Sequence, residues 1–163
     1  MTDTKQENNN KEFISRLMAV QACYQMIHNK KAIKLVVDEY LADGLKTDDE
    51  PGEGQEKVAQ PEELEAIKIL PHGGLLKKIL MGLEERRGEI EEIVKANMTS
   101  SKDVEPLLHS ILLCGVYELL QHVKTDAPII VNDYLNVTHE FYPKSQVSFV
   151  NGILDSAAKS LRD

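Results

Sequence analysis

Tryptophan is missing from this 163-residue chain and aromatic residues make up only 5% of it, so any core must be mainly aliphatic. The apolar runs are short and interrupted, which excludes a segment able to span a bilayer. Met1 to Glu12 is polar with no apolar centre, which argues against a secretory leader. Only two cysteines occur, Cys23 and Cys114, each inside a helical apolar pattern. Buried free thiols in a reducing cytoplasm are the preferred reading, with a disulfide left open as the alternative. No glycine-rich phosphate loop and no internal repeat is present. His28, His72, His109, His122 and His139 are scattered, and with the two cysteines they form no cluster of zinc-ligand spacing. The sequence therefore points to no metal, no cofactor and no marked catalytic group.

What is present is charge and helical periodicity. The formal charge is −8. Residues 43–65 hold nine acids and two bases, a net of −7, so the rest of the chain is nearly neutral. Met1–Lys11 has the composition of a flexible arm. Residues 12–163 read as one helical domain with an acidic loop at about 44–60, which contains Pro51, Gly52 and Gly54. Helices are predicted over Glu12–His28, with Phe13, Leu17, Val20, Tyr24 and Ile27 on one face, and over Ala32–Ala42. A short helix opens at Pro61 and ends near Pro71. Leu75–Glu85 and Arg87–Met98 are two helices or one bent helix. Ser101–His122 has the widest apolar stripe and is predicted as the central buried helix, with Gly115 allowing close packing. Ile130–Tyr142 follows, ended by Pro143. The run Ile129-Ile130-Val131 would also suit a short strand, but no partner strand is in sight. Ser145 is predicted to cap the last helix, to Arg162. The expected fold is an all-α bundle of about six to seven helices.

The last helix carries an anomaly. Val147, Val150, Leu154, Ala157 and Leu161 form its core stripe. Phe149 falls roughly 120° from the centre of that stripe and Gly152 almost opposite it. A glycine inside a helix costs about 1 kcal/mol relative to alanine. An aromatic off the core face suits base stacking or a partner anchor, and burial between two faces of a bundle is the competing explanation. The acids Glu84, Glu85, Glu89, Glu91 and Glu92 lie beside Arg86, Arg87 and Lys95, which suits a solvated helix face rather than paired catalytic carboxylates. Arg16 and Lys11 read as surface charge, Tyr24 and Phe141 as stripe residues.

In order along the chain, several segments resemble the NusB family of bacterial transcription antitermination factors. Arg16–Gln25 (RLMAVQACYQ) is similar to the family's R-x-x-A-V-Q-A-L-Y helix. Leu75–Gly82 resembles its L-x-x-G segment, and Val116-Tyr117-Glu118-Leu119 its A-x-Y-E-L helix. Val131-Asn132-Asp133-Tyr134 resembles I-N-E-Y/A, and Phe149–Asp155 (FVNGILD) resembles F-V-N-G-V-L-D. The ordered set is far more specific than any one segment. The resemblance implies an all-helical fold, no enzymatic activity and a cytoplasmic protein. It implies binding of single-stranded boxA RNA together with the small-subunit ribosomal protein NusE, in a complex with NusA, NusG and RNA polymerase. Carried over by position, the RNA contacts would be Lys11, Arg16, Phe141, Lys144, Phe149 and Gly152. Tyr24, Glu105 and Leu108 would face the protein partner.

The chain also departs from the family pattern. Glu12, Phe13, Ile14 and Ser15 precede a lone Arg16 where an arginine-rich stretch is usual. Ser145 stands where some members carry aspartate, Leu108 replaces an acidic partner position, Pro128 comes about two residues late, and the acidic loop is longer. With few phosphate contacts, weak RNA binding by the chain alone and strong dependence on the partner are expected. Two other readings compete: a protein-interaction adaptor that kept the fold without RNA contact, and the helical RNA-binding domain that precedes ribosomal RNA methyltransferases.

Overall fold

The computed structural model describes residues 2–30, 32, 35–36, 73–99 and 103–162, with side chains from Asn9 onward in the first helix. Among the described residues there are five helices and no strand: α1 (Thr2–His28), α2 (Gly73–Ala96), α3 (Pro106–Gln121), α4 (Ala127–Phe141) and α5 (Lys144–Leu161). The sequence reading of Ala32–Ala42, the acidic loop at 44–60 and the short helix after Pro61 falls outside the described residues, apart from a helical pair at 35–36. Helix α1 begins at Thr2, inside the stretch whose composition suggested an arm.

Helix α3 is the centre of the bundle and packs against α1, α2, α4 and α5. Its sequence explains this position: from Ser110 to Leu119 every residue is buried. A helix apolar on all sides can only lie inside. Two glycines let its neighbours close in. A Cβ on Gly115 would come within 2.9 Å of Leu154 Cδ2 on α5, so the predicted close packing is present. A Cβ on Gly82 would fall on the Tyr117 ring, which lies across α2 at that point.

Helix α2 is one bent helix. Its backbone leaves helical geometry at Arg86 (φ −118°, ψ 20°), between the two segments that the sequence suggested. Residues 129–131 are helical within α4, so the alternative strand is not formed. The start of α5 differs from expectation. Pro143 occupies the cap position and Ser145 lies exposed in the first turn, with no side-chain cap bond. Proline's fixed φ and missing N–H already suit a helix start, so the serine has nothing to supply there.

The C-terminus of α3 is closed from a distance. Arg162, just after α5, donates from Nε to Leu119 O at 2.7 Å and from its terminal nitrogens to Thr125 O at 2.9 Å and His122 O at 3.0 Å. Leu119 O lies in the last turn of α3, where a helix end leaves carbonyls unsatisfied, and the other two acceptors belong to its cap and the following loop. Cys23 and Cys114 are both free and buried in the common core.

Candidate nucleic-acid interface

Arg16 is the largest correction to the sequence reading. It is 1% exposed and points into the bundle rather than to solvent. Its Nε donates to Glu118 Oε2 at 2.7 Å and its Nη2 to Glu118 Oε1 at 2.9 Å, a bidentate pair. Nη1 donates to Asp133 at 2.8 Å and lies 3.5 Å from Glu12. Glu118 is fully buried and also accepts from the Tyr134 hydroxyl at 2.5 Å, with His122 Nδ1 at 2.8 Å. A guanidinium engaged in this way is not presented to solvent as the surface charge that the spacing suggested.

The electrostatics of this cluster follow from one cation among three acids. Burial by itself would raise the Glu118 carboxyl, but the hydrogen bonds to His122, Arg16 and Tyr134 outweigh it and hold the group below its ordinary value. Asp133 goes the other way. Burial raises it, and its share of Arg16 does not offset that together with repulsion from Glu118 and Glu12. Arg16 stays charged throughout, because its acceptors more than offset the cost of burial.

The other RNA candidates gather near the α4–α5 turn. Phe141 is the last residue of α4 and is 40% exposed, a large apolar side chain open to solvent. Lys144 opens α5 and is exposed. Phe149 is half-buried and packs partly against the core, so each competing explanation accounts for part of its surface. Gly152 is exposed, and among the described residues a Cβ there would meet nothing within 4 Å. Lys11 is half-buried on α1 and its carbonyl accepts from Ser15 Oγ at 2.8 Å.

Of the partner candidates, Leu108 is corrected. It is 4% exposed on α3 and belongs to the core. Glu105 is exposed at the N-terminal cap of α3. Tyr24 is half-buried and stacks on His28, ring centroids 4.9 Å apart and 13° from parallel. Tyr142, which the sequence reading assigned only to a helix end, links the two groups. Its hydroxyl is buried beside Glu105 and the Leu108 backbone. Burial, then the nearby Glu105 carboxylate, push it up to about 12. An aromatic directly before the helix-breaking Pro143 was the signal available in the sequence.

Elsewhere the acids of α2 pair along their own helix. Arg86 binds Glu89 at 2.8 Å and Arg87 lies 3.8 Å from Glu91, while His109 Nε2 is 3.1 Å from Glu91. This is the solvated face that the spacing suggested. Among the described residues no group of histidine, cysteine or acidic side chains could hold a metal ion. Among them, too, no helix is long and apolar enough to cross a membrane.

Comparison with known proteins agrees with this architecture. The family description "NusB family" matches residues 14–159. A transcription antitermination protein NusB from Novosphingobium aromaticivorans is 28% identical over 151 residues, which covers 91% of this chain and 93% of that protein. One of the same name from Rickettsia akari is 28% identical over 158 residues, 92% of each. Among solved structures, T. maritima NusB superposes with a TM-score of 0.68 over 93% of this chain and 92% of its own, at 14% identity, which speaks to the fold alone. With the described helices α1, α2, α4 and α5 packed around α3 and a family match over residues 14–159, the chain belongs to the NusB family.

Proposed function

We propose that this chain is a cytoplasmic transcription antitermination factor, without enzymatic activity, that binds single-stranded RNA jointly with a protein partner. The observation that carries the reading is Phe141, exposed at the α4–α5 turn close in sequence to Lys144, with Phe149 half-buried on the second turn of α5. An exposed aromatic with an adjacent cation is what a splayed-out base and its phosphate require. The open surface at Gly152 would admit the RNA backbone next to Phe149. The RNA is boxA of a nascent ribosomal transcript, and the partner is the ribosomal protein NusE, docked at Tyr24 and Glu105. NusA, NusG and RNA polymerase complete the larger assembly.

The burial of Arg16 sharpens the expected affinity. Lys144 and Lys11 are the lysines left at the RNA face, so few counterions would be released and the salt dependence would be shallow. Binding by the chain alone is weak, and the partner supplies most of the charge. A gel-shift titration of boxA RNA with the chain, with the partner and with both tests this. A shift only, or much more strongly, with both supports it. The buried Arg16 also favours a second reading, an adaptor that binds protein and not RNA. Copurification of the two proteins without any RNA shift by the mixture would establish that reading instead.

A further inference from the structure

A groove of ≈930 Å³ runs between the start of α1 and the outer face of α4. Its apolar surface comes from Phe13 and from Ile129, which is 49% exposed. Asn132 and Asn136 follow along α4, one turn apart and both exposed. Glu12, Asp133 and Glu140 also line it, and among the described residues no lysine or arginine does. Among the described residues the cation beneath is Arg16, which is 1% exposed and shared among Glu118, Asp133 and Glu12. One guanidinium against three carboxylates leaves a net negative charge, and Glu140 adds to it. The groove therefore carries an uncompensated negative field, apolar contact at Ile129 and amides able to pair with a peptide backbone.

We infer that the groove between α1 and α4 docks an extended, lysine- or arginine-bearing segment of a protein partner. A phosphodiester strand is the wrong charge for it, because each phosphate would face Glu12, Asp133 or Glu140, and no lysine or arginine among the described residues lines the groove. A partner that itself handles nucleic acid carries the required surplus of lysine and arginine. Alternating side chains of an extended segment would place apolar groups on Ile129 and Phe13 and cations toward the acids. The inference goes beyond the RNA reading and does not depend on it: RNA binding at Phe141 can fail while this groove still takes a basic segment.

The test uses the full chain, a labelled short peptide alternating lysine and leucine, and a single-stranded RNA oligonucleotide, all at physiological ionic strength. The variant is Asn136→Arg with Glu140→Lys. Both positions are exposed, so thermal unfolding should be unchanged. Fluorescence anisotropy should show the peptide bound by the wild type and at least about tenfold weaker to the variant, the cost of like charges brought together. Amide shifts in the wild type should centre on Asn132, Asn136 and His139. Three results overturn the inference. The first is peptide affinity unchanged by the variant, and the second is shifts confined to residues 43–65. The third is an RNA oligonucleotide that gains affinity from the variant and competes with the peptide, which would make the groove a nucleic-acid site.

Discussion

Replacing Arg16 with alanine separates the two roles this residue could have. In the structure it is the principal counter-ion of Glu118, which is fully buried. Its removal leaves that carboxylate with only the Tyr134 hydroxyl and His122. Breaking one side of a buried ion pair costs about 3–5 kcal/mol. A domain of this length loses about 2–4 °C per kcal/mol, so the midpoint should fall by roughly 6–20 °C. Circular dichroism against temperature and urea reads this directly. If alanine leaves too little folded protein, Arg16→Lys gives a smaller loss, since a lysine keeps the charge and forfeits the bidentate geometry. The combination Arg16→Met, Glu118→Leu and Tyr134→Phe should recover part of the loss, because it removes the stranded charge with its partner. A loss of stability under about 1 kcal/mol with a collapse of RNA binding would refute the reasoning. Arg16 would then be a surface contact after all.

The same network predicts a pH dependence. Because the folded-state Glu118 carboxyl lies below its ordinary value, its contribution is present above that value and lost as pH falls through the folded one. The stability gap between wild type and Glu118→Gln should thus be widest near pH 7 and close in acid; a gap independent of pH would contradict the assignment. Gly82→Ala should destabilise by about 1–3 kcal/mol in urea titration, since the added methyl falls on the Tyr117 ring. Gly152→Ala should instead gain about 0.5–1 kcal/mol, because the position is exposed, helical and empty around its Cβ. If that glycine serves RNA approach, the gain in stability comes with weaker RNA binding, and unaltered affinity removes Gly152 from the interface.

What the sequence made legible follows the strength of its hydrophobic signal. Helix α3 is buried over ten successive residues, so its central place could be read from its stripe alone. The bend in α2 and the tight packing at Gly115 were legible for similar reasons. The orientation of α1 was not. Of Phe13, Leu17, Val20, Tyr24 and Ile27, only Val20 is buried; the buried face is Ser15, Arg16, Ala19, Val20, Ala22, Cys23 and Met26. An arginine on that face rotated the apparent stripe by about one residue, because pattern reading treats a charge as outward. The missing clue was in α3. A carboxylate at Glu118 inside a continuous apolar run must find a cation, and Arg16 is the one it found. Leu108 was misread in the converse way: position in a family pattern suggested a partner contact, while its own burial assigns it to the core. Phe141 looked like a stripe residue but lies at the very end of α4, past the point where the bundle covers it.

Joint RNA recognition at the α4–α5 turn is tested by measuring boxA affinity for Phe141→Ala in the presence of the ribosomal-protein partner. Losing one base–aromatic stack costs about 1–3 kcal/mol, so the affinity should fall about fivefold to a hundredfold with the thermal midpoint and partner binding unchanged. Affinity equal to wild type, or no RNA binding by either protein mixture, would contradict it.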